Sequence, residues 1–134
     1  MTAVVVDASA MVLAVAGTSA EHDRLRVRIE EAECHAPHLV DAEVGNVLRR
    51  RLLAGNLTED VAGAGLRAMP VLVEHRYEHL GPLAEAAWRL RGAVSFYDAL
   101  YVALAAALRL PLLTADARLA RAPRLPCEVE IVGA

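Results

Sequence analysis

The stretch Ser95–Leu119, SFYDALYVALAAALRLPLLTADARL, decides the fold. From Asp98 to Leu108 it is apolar nearly all round, which predicts a helix buried on most faces. Ser95 is the expected N-cap, with Asp98 at the third helical position, and the helix is expected to end near Arg109. Pro111 to Thr114 then forms a short apolar run that reads as a buried strand leading into Asp116. The same strand-then-acid pattern opens the chain. Ala3 to Val6 is a continuous apolar run ending at Asp7, followed by a helix expected to be capped by Ser9, to run to about Ala16 and to stop at Gly17.

Working outward, short apolar runs alternate with longer amphipathic ones, the pattern of an α/β chain with a parallel sheet. Ser19 is the expected cap of a second helix reaching about Glu33. Cys34 to Ala36 reads as a short strand closed by Pro37. A helix is predicted from about Leu39 to Ala54, with Gly55 past its end. Thr58 caps another, with Glu59 and Asp60 in its first turn, that fades near Pro70. A strand is expected within Val71–Tyr77, a helix from Pro82 to about Arg91, a short helix to about Ala122, and a last strand over Val129–Val132. No repeat or linker divides the chain, so residues 1–134 are expected to form one domain.

Composition excludes several classes. At 56% hydrophobic the chain is not disordered. Its longest apolar run, Ala99 to Leu108, is too short for a membrane span, and no basic segment precedes an apolar one at the N-terminus. Two distant cysteines, Cys34 and Cys127, make no disulfide framework, so a reducing cytoplasm is the expected compartment. All 14 basic residues are arginine. Schiff-base chemistry and the usual lysine-dependent phosphate loops are therefore out of reach. The net charge of −3 does not indicate a globally basic nucleic-acid binder.

Four acids stand in unusual places. Asp7 and Asp116 lie just past the ends of two buried strands, where open parallel sheets bind ligands. Each could equally cap the helix that follows. Asp98 opens an apolar helix and must be capped, paired or metal-bound; a capping box with Ser95 would serve, and would also aim the carboxylate. Glu43 falls about 60° from Val40, at the edge of the apolar stripe of its helix, with Asn46 and Arg50 on the same flank. Asp41, near the opposite edge, reads as a solvated first-turn acid. Gathered around one crevice, Asp7, Glu43, Asp98 and Asp116 would repel one another unless a cation compensated. All-oxygen ligands select Mg²⁺ or Mn²⁺ over Zn²⁺. Such a site suits metal-assisted phosphodiester hydrolysis. Setting those four aside leaves 13 acids against 14 arginines, so the rest of the surface is near neutral, and its arginines are good phosphate ligands.

At these residues the sequence resembles a known family. VVVDASAMV, EVGNVLRR, SFYDALYVALA and LLTADARL are similar, in order and spacing over essentially the whole chain, to the acidic motifs of PIN-domain ribonucleases, above all the VapC-type toxins of toxin–antitoxin pairs. Carried over, the resemblance places Asp7, Glu43, Asp98 and Asp116 at the family's metal positions. Thr114 matches the frequent Ser or Thr two residues before the last acid, and Ser9 a small polar residue after the first. Leu119 departs from the pattern, standing where many members carry an aromatic. The resemblance implies a three-layer α/β sandwich with a parallel sheet of about five strands in the order 3-2-1-4-5, and a homodimer. It also implies Mg²⁺- or Mn²⁺-dependent cleavage of RNA and an antitoxin partner.

Two other readings compete. A haloacid-dehalogenase-like phosphatase would share the acidic crevice, but its first strand ends D-x-D, where this chain has Asp7-Ala8-Ser9, and its lysine is absent. A catalytically idle binding module would have no use for a complete acid set. His22, His35, His38, His75 and His79 show no metal-ligand spacing among themselves. Gly63 and Gly65 read as glycines within a helix rather than a phosphate cradle. Arg49, Arg50 and Arg51 read as a helix end, with Arg50 the candidate for RNA phosphate contact. The RNA target, the antitoxin and the number of metal ions are not legible in the chain.

Overall fold

The structure, a computed structural model, describes residues 2–133. Five parallel strands, β1 (Ala3–Val6), β2 (Glu33–Pro37), β3 (His75–Tyr77), β4 (Leu112–Thr114) and β5 (Val129–Ile131), form one sheet in the order β3-β2-β1-β4-β5. The expected strand order is thus the one found. Helices α1 (Ala8–Ala16) and α2 (Ala20–Glu31) link β1 to β2, and α3 (Leu39–Leu53) and α4 (Glu59–Leu72) link β2 to β3. The chain then returns past β1 through α5 (Pro82–Trp88) and α6 (Phe96–Leu108), and α7 (Ala117–Ala120) joins β4 to β5. Right-handed crossovers running in opposite directions put their helices on opposite faces. Accordingly α1 packs on α2, α3 and α4, whereas α5 packs on α6.

β1 and β4 are neighbours, in register at Val5–Leu112 and Val6–Leu113. The strand order reverses between them, and the crevice beyond their C-terminal ends is where this architecture binds ligands. Val4, Val5, Val6, Leu112 and Leu113 are all essentially inaccessible, which explains why both strands read as continuous apolar runs. Among the described residues no helix is long and apolar enough to cross a membrane.

Several boundaries differ from expectation. Asp7, not Ser9, is the N-cap of α1: its side chain accepts from the Ala10 amide, so the helix starts at Ala8. α2 ends at Glu31 and β2 starts at Glu33. Only Leu25 and Ile29 are buried on α2, which accounts for its weak apolar stripe. α4 runs through Pro70 to Leu72. A proline this near a C-terminus forfeits a single hydrogen bond, to the carbonyl of Leu66, on an exposed turn. α5 ends at Trp88, short of Arg91.

Asp41 is not simply solvated. The Arg76 guanidinium grips it with two hydrogen bonds of 2.6 and 2.9 Å and also donates to the carbonyls of Val73 and Met69, tying α3 to β3. Gly65 has a packing role: a Cβ there would lie 3.1 Å from Val15 Cγ2 and 3.5 Å from Leu48, so its absence lets α4 approach α1 and α3. Ile29 is fully enclosed in the core between α2 and the sheet. Ile29→Ala is expected to lower unfolding free energy by about 2–5 kcal/mol in urea denaturation, with an unchanged denaturant slope.

Candidate active site

Asp7 is built into the junction of β1 and β4. Its Oδ1 accepts from the Ser9 hydroxyl at 2.7 Å and from the Ala10 amide at 3.0 Å, and its Oδ2 accepts from the Thr114 hydroxyl. The Ser9 hydroxyl also accepts from the Ala115 amide at 2.9 Å, and Thr114 Oγ1 accepts from the Asp116 amide at 3.0 Å. Thr114 is completely buried and Asp7 nearly so. A strand that ends in an acid and a strand that ends Thr-Ala-Asp are thereby fastened across the switch point. Capping and site-building are the same act here, since the cap fixes the direction of the carboxylate.

The other acids lie near enough to Asp7 to feel its charge or one another's, although among the described residues no three of the four bring carboxylate oxygens within 4.8 Å of one another. Glu43 on α3 is half-buried and accepts from the Tyr101 hydroxyl at 2.6 Å. Asp98 sits half-buried in the first turn of α6, whose N-cap Ser95 accepts from the Asp98 amide. Asp116 caps α7 by accepting from the Arg118 amide at 2.9 Å, with the Arg118 guanidinium 3.4 Å away. A cleft of about 410 Å³ is lined by Ser95, Asp98, Asp116, Arg118, Leu119 and Arg121, with Ala93, Val94 and Ala122. Leu119 is buried there, so an aliphatic side chain fills the position that the resemblance associates with an aromatic.

Electrostatics shows that these carboxylates share one field. Burial pushes Asp7 above the usual carboxylate range; its three hydrogen bonds hold it back in part, and the charge of Asp98 raises it further. Burial likewise raises Glu43, with Tyr101 opposing and Asp98 and Asp7 adding. Burial raises Asp98, and Asp116 adds to the rise while the Ser95 hydroxyl and the charge of Arg118 reduce it. Asp116 alone is lowered: burial works against it, but the hydrogen bonds and charge of Arg118 prevail. The buried Tyr101 phenol, pressed by Glu43, Asp7 and Asp98, is held well above its ordinary value and stays protonated as a donor. Among the described residues Asp7, Glu43 and Asp98 make no ion pair. Oxygen donors only, mutually repelling and short of cations, suit a hard divalent ion such as Mg²⁺ or Mn²⁺.

The pKa shift of Asp98 has a testable sign. A folded-state pKa above the unfolded value means stability is fullest below the unfolded value and is lost as pH rises through the folded one. In chelator at pH 7.5, Asp98→Asn is therefore expected to melt at or above the wild-type temperature, and the difference should shrink towards pH 4. A sharp drop instead would make helix capping the principal role of Asp98.

The sequence-predicted residues do not all converge. Asp7, Ser9, Asp98, Thr114, Asp116 and Glu43 do. Asn46 is exposed one turn beyond Glu43. Arg50 is exposed and lines a separate groove with Val47, Arg51, Ala54 and Asn56. Arg118 and Arg121 border the acidic cleft instead, and neither was singled out from the sequence. Tyr101 was also missed; its signal was an aromatic hydroxyl one turn after Asp98 on an otherwise aliphatic helix. A larger groove of about 810 Å³ lies elsewhere, along α2 beside Thr2 and Val4, and holds none of the four acids.

The histidines also group unexpectedly. Glu33, His35 and His75 have ligand-capable atoms within 4.8 Å of one another, although their sequence spacing suggested nothing. His79 does not join them: its Nε2 accepts from the Leu39 amide at 3.0 Å, at the start of α3.

Comparison with known proteins agrees with the fold and the motifs. Residues 4–125 match the PIN domain family. The chain is 54% identical over 128 residues to Ribonuclease VapC1 of Mycobacterium tuberculosis, covering 96% of each. It superposes on PAE2754 from Pyrobaculum aerophilum with a TM-score of 0.68 at 27% identity, covering 96% of this chain and 92% of the other. VapBC-5 of M. tuberculosis, from the VapBC family of toxin–antitoxin systems, shares the fold with a TM-score of 0.60 at 22% identity over the full length of both chains. With the sheet order, the four acidic motifs and the family match all in agreement, the chain belongs to the PIN-domain family, among the VapC ribonucleases.

Proposed function

We propose that this protein is a Mg²⁺- or Mn²⁺-dependent endoribonuclease, the toxin of a toxin–antitoxin pair, and that residues 1–134 form a single nuclease domain. The observation that carries the reading is the convergence of Asp7, Glu43, Asp98 and Asp116 in one field at the sheet's switch point, without cations of their own for the first three. High identity to a named ribonuclease supports RNA as the substrate. The likeness to VapBC-5 supports an antitoxin partner. A homodimer, a cytoplasmic location and RNA contact by Arg50 belong to the same proposal.

Asp7 and Asp98 would hold the ion directly, Asp116 directly or through water, and Glu43 would either join them as a ligand or orient the water. A bound divalent ion supplies an acidified water and charge neutralisation for the scissile phosphate. Ser9, Thr114 and the Ala10 amide keep the Asp7 carboxylate from turning. Tyr101 holds one oxygen of Glu43, so the other can orient the attacking water and take its proton; a raised pKa makes Glu43 a better base near neutrality. Water adds to phosphorus, giving its proton to Glu43, as the bond to the 3′ oxygen breaks, and that oxygen takes a proton from solvent and leaves as a hydroxyl. Arg118 and Arg121 offset the cleft's negative charge where the backbone enters.

The products should carry 5′-phosphate and 3′-hydroxyl ends. Single-stranded RNA cleaved by the purified protein in Mg²⁺ is expected to yield 3′ fragments that ligate to an adaptor without prior kinase treatment. Products with 5′-hydroxyl and 2′,3′-cyclic phosphate ends would contradict the mechanism. Hydrolysis of a small phosphate ester with RNA left intact would favour the phosphatase reading.

A further inference from the structure

We propose that Glu33, His35 and His75 form a second metal site, distinct from the acidic cleft and selective for transition-metal ions of the Zn²⁺ class. β2 and β3 pair in register at His35–His75, and the period of two along a strand puts Glu33 and His35 on one face of β2. Glu33 Oε1 lies 3.0 Å from His35 Nε2 and 3.0 Å from His75 Nε2. The two imidazoles are stacked, with centroids 4.5 Å apart. Three donors from two strands thus converge on one point at the sheet edge.

The distances suit a small ion. Donors about 2.0–2.1 Å from a tetrahedral zinc lie about 3.3 Å from each other, a few tenths of an ångström beyond what is seen. His35 Nε2 is in hydrogen-bond geometry with Glu33, whereas the exposed His75 imidazole, stacked on His35 and at ion-pair distance only, would turn to direct its Nε2 at the ion. His35 is the anchored member: it is buried, and its Nδ1 lies 2.8 Å from the Tyr77 hydroxyl. That hydroxyl can donate to Nδ1 when Nε2 carries the proton, or accept from it when Nε2 binds metal. A partner on the far ring nitrogen is the usual support of a metal-bound histidine. His75 has a side chain 47% exposed and Glu33 one 37% exposed, so the point is reachable from solvent and leaves room for a water as fourth ligand.

Donor chemistry separates this site from the cleft. Two imidazoles and one carboxylate favour zinc, copper, nickel or cobalt, whereas four carboxylates favour Mg²⁺ or Mn²⁺. Position separates them too. Glu33 is in register with Ala3, four residues before Asp7, or about 13 Å along the strand direction. Metal here would pin the three-residue edge strand β3 to β2. Metal binding at this edge is independent of RNA cleavage.

The test is a Zn²⁺ titration of untagged protein against a chromophoric chelator, with thermal melting to verify folding. Wild type and Asp98→Asn are expected to bind Zn²⁺ with the same affinity. Glu33→Gln and His75→Ala should each lose about 100-fold or more, and Tyr77→Phe about 10- to 100-fold. In parallel, Zn²⁺ should shift the imidazole ¹⁵N resonances of His35 and His75 in the wild type, which keeps the test independent of whether a variant folds. The proposal is overturned if wild type does not compete with the chelator, if those resonances stay put, if Glu33→Gln and His75→Ala bind as wild type does, or if Asp98→Asn abolishes binding.

Discussion

Asp7→Asn and Asp98→Asn are each expected to lower RNA cleavage by about two to four orders of magnitude, the span usual for removing a charged group at a reacting centre. Neither change alters shape. Asp98 keeps its backbone bond to Ser95 whatever its side chain carries, so the helix start survives. Asparagine at position 7 still offers an oxygen to Ser9 and Ala10, but it places an amide nitrogen or a re-paired hydroxyl against Thr114. Circular dichroism should therefore be unchanged while cleavage, followed on a labelled single strand, collapses. In cells, expression of the wild type without its antitoxin should arrest growth, and expression of either variant should not. Equal toxicity of variant and wild type would remove the carboxylates from the chemistry.

Chelation should have an effect of similar size. With EDTA present, cleavage should fall to background, and Mg²⁺ or Mn²⁺ in excess should restore it. The same ions should raise the melting temperature, because a ligand bound only by the folded state stabilises it by about 2.7 kcal/mol at a hundredfold excess over its dissociation constant. The increment should be lost in Asp98→Asn, which removes a ligand and part of the repulsion at once. Undiminished cleavage in EDTA, together with a melting temperature indifferent to Mg²⁺, would exclude a metal-dependent site.

The parts of this molecule that could be read from its sequence are those in which one residue's position carries the information. A buried strand that ends in an acid projects that acid into the crevice, so Asp7 and Asp116 are legible in the sequence alone. Asp98 was visible because a carboxylate is anomalous on an apolar helix. Glu43 was weaker, as an acid at the edge of a stripe is commonplace, and the four-acid grouping together with the family resemblance drew it in. Tyr101 was hidden because a tyrosine in such a helix reads as core, which by burial it is. Arg50 shares a flank with Glu43 but stands two turns further on, about 10 Å along the axis, enough to carry it to another groove. Arg118 and Arg121 needed the α7 turn to bring them to the cleft. Residues 40 apart meet at His35 and His75 only through the β2–β3 register, which no local pattern specifies. Pro70 misled for a simpler reason: proline ends a helix only where the lost bond cannot be tolerated.

The clasp between Asp7 and Thr114 joins residues 107 positions apart. Its consequence lies in the timing of synthesis. A ribosome adds roughly 5–20 residues per second, so about 5–20 s separate the appearance of the first acid from that of the last. Through that interval the nascent chain gains α1 to α4 but has no β4 to set beside β1, and Asp7 has no Thr114 hydroxyl to hold its second oxygen. The acidic site of a growing chain is therefore incomplete until the segment around Asp116 has emerged and docked.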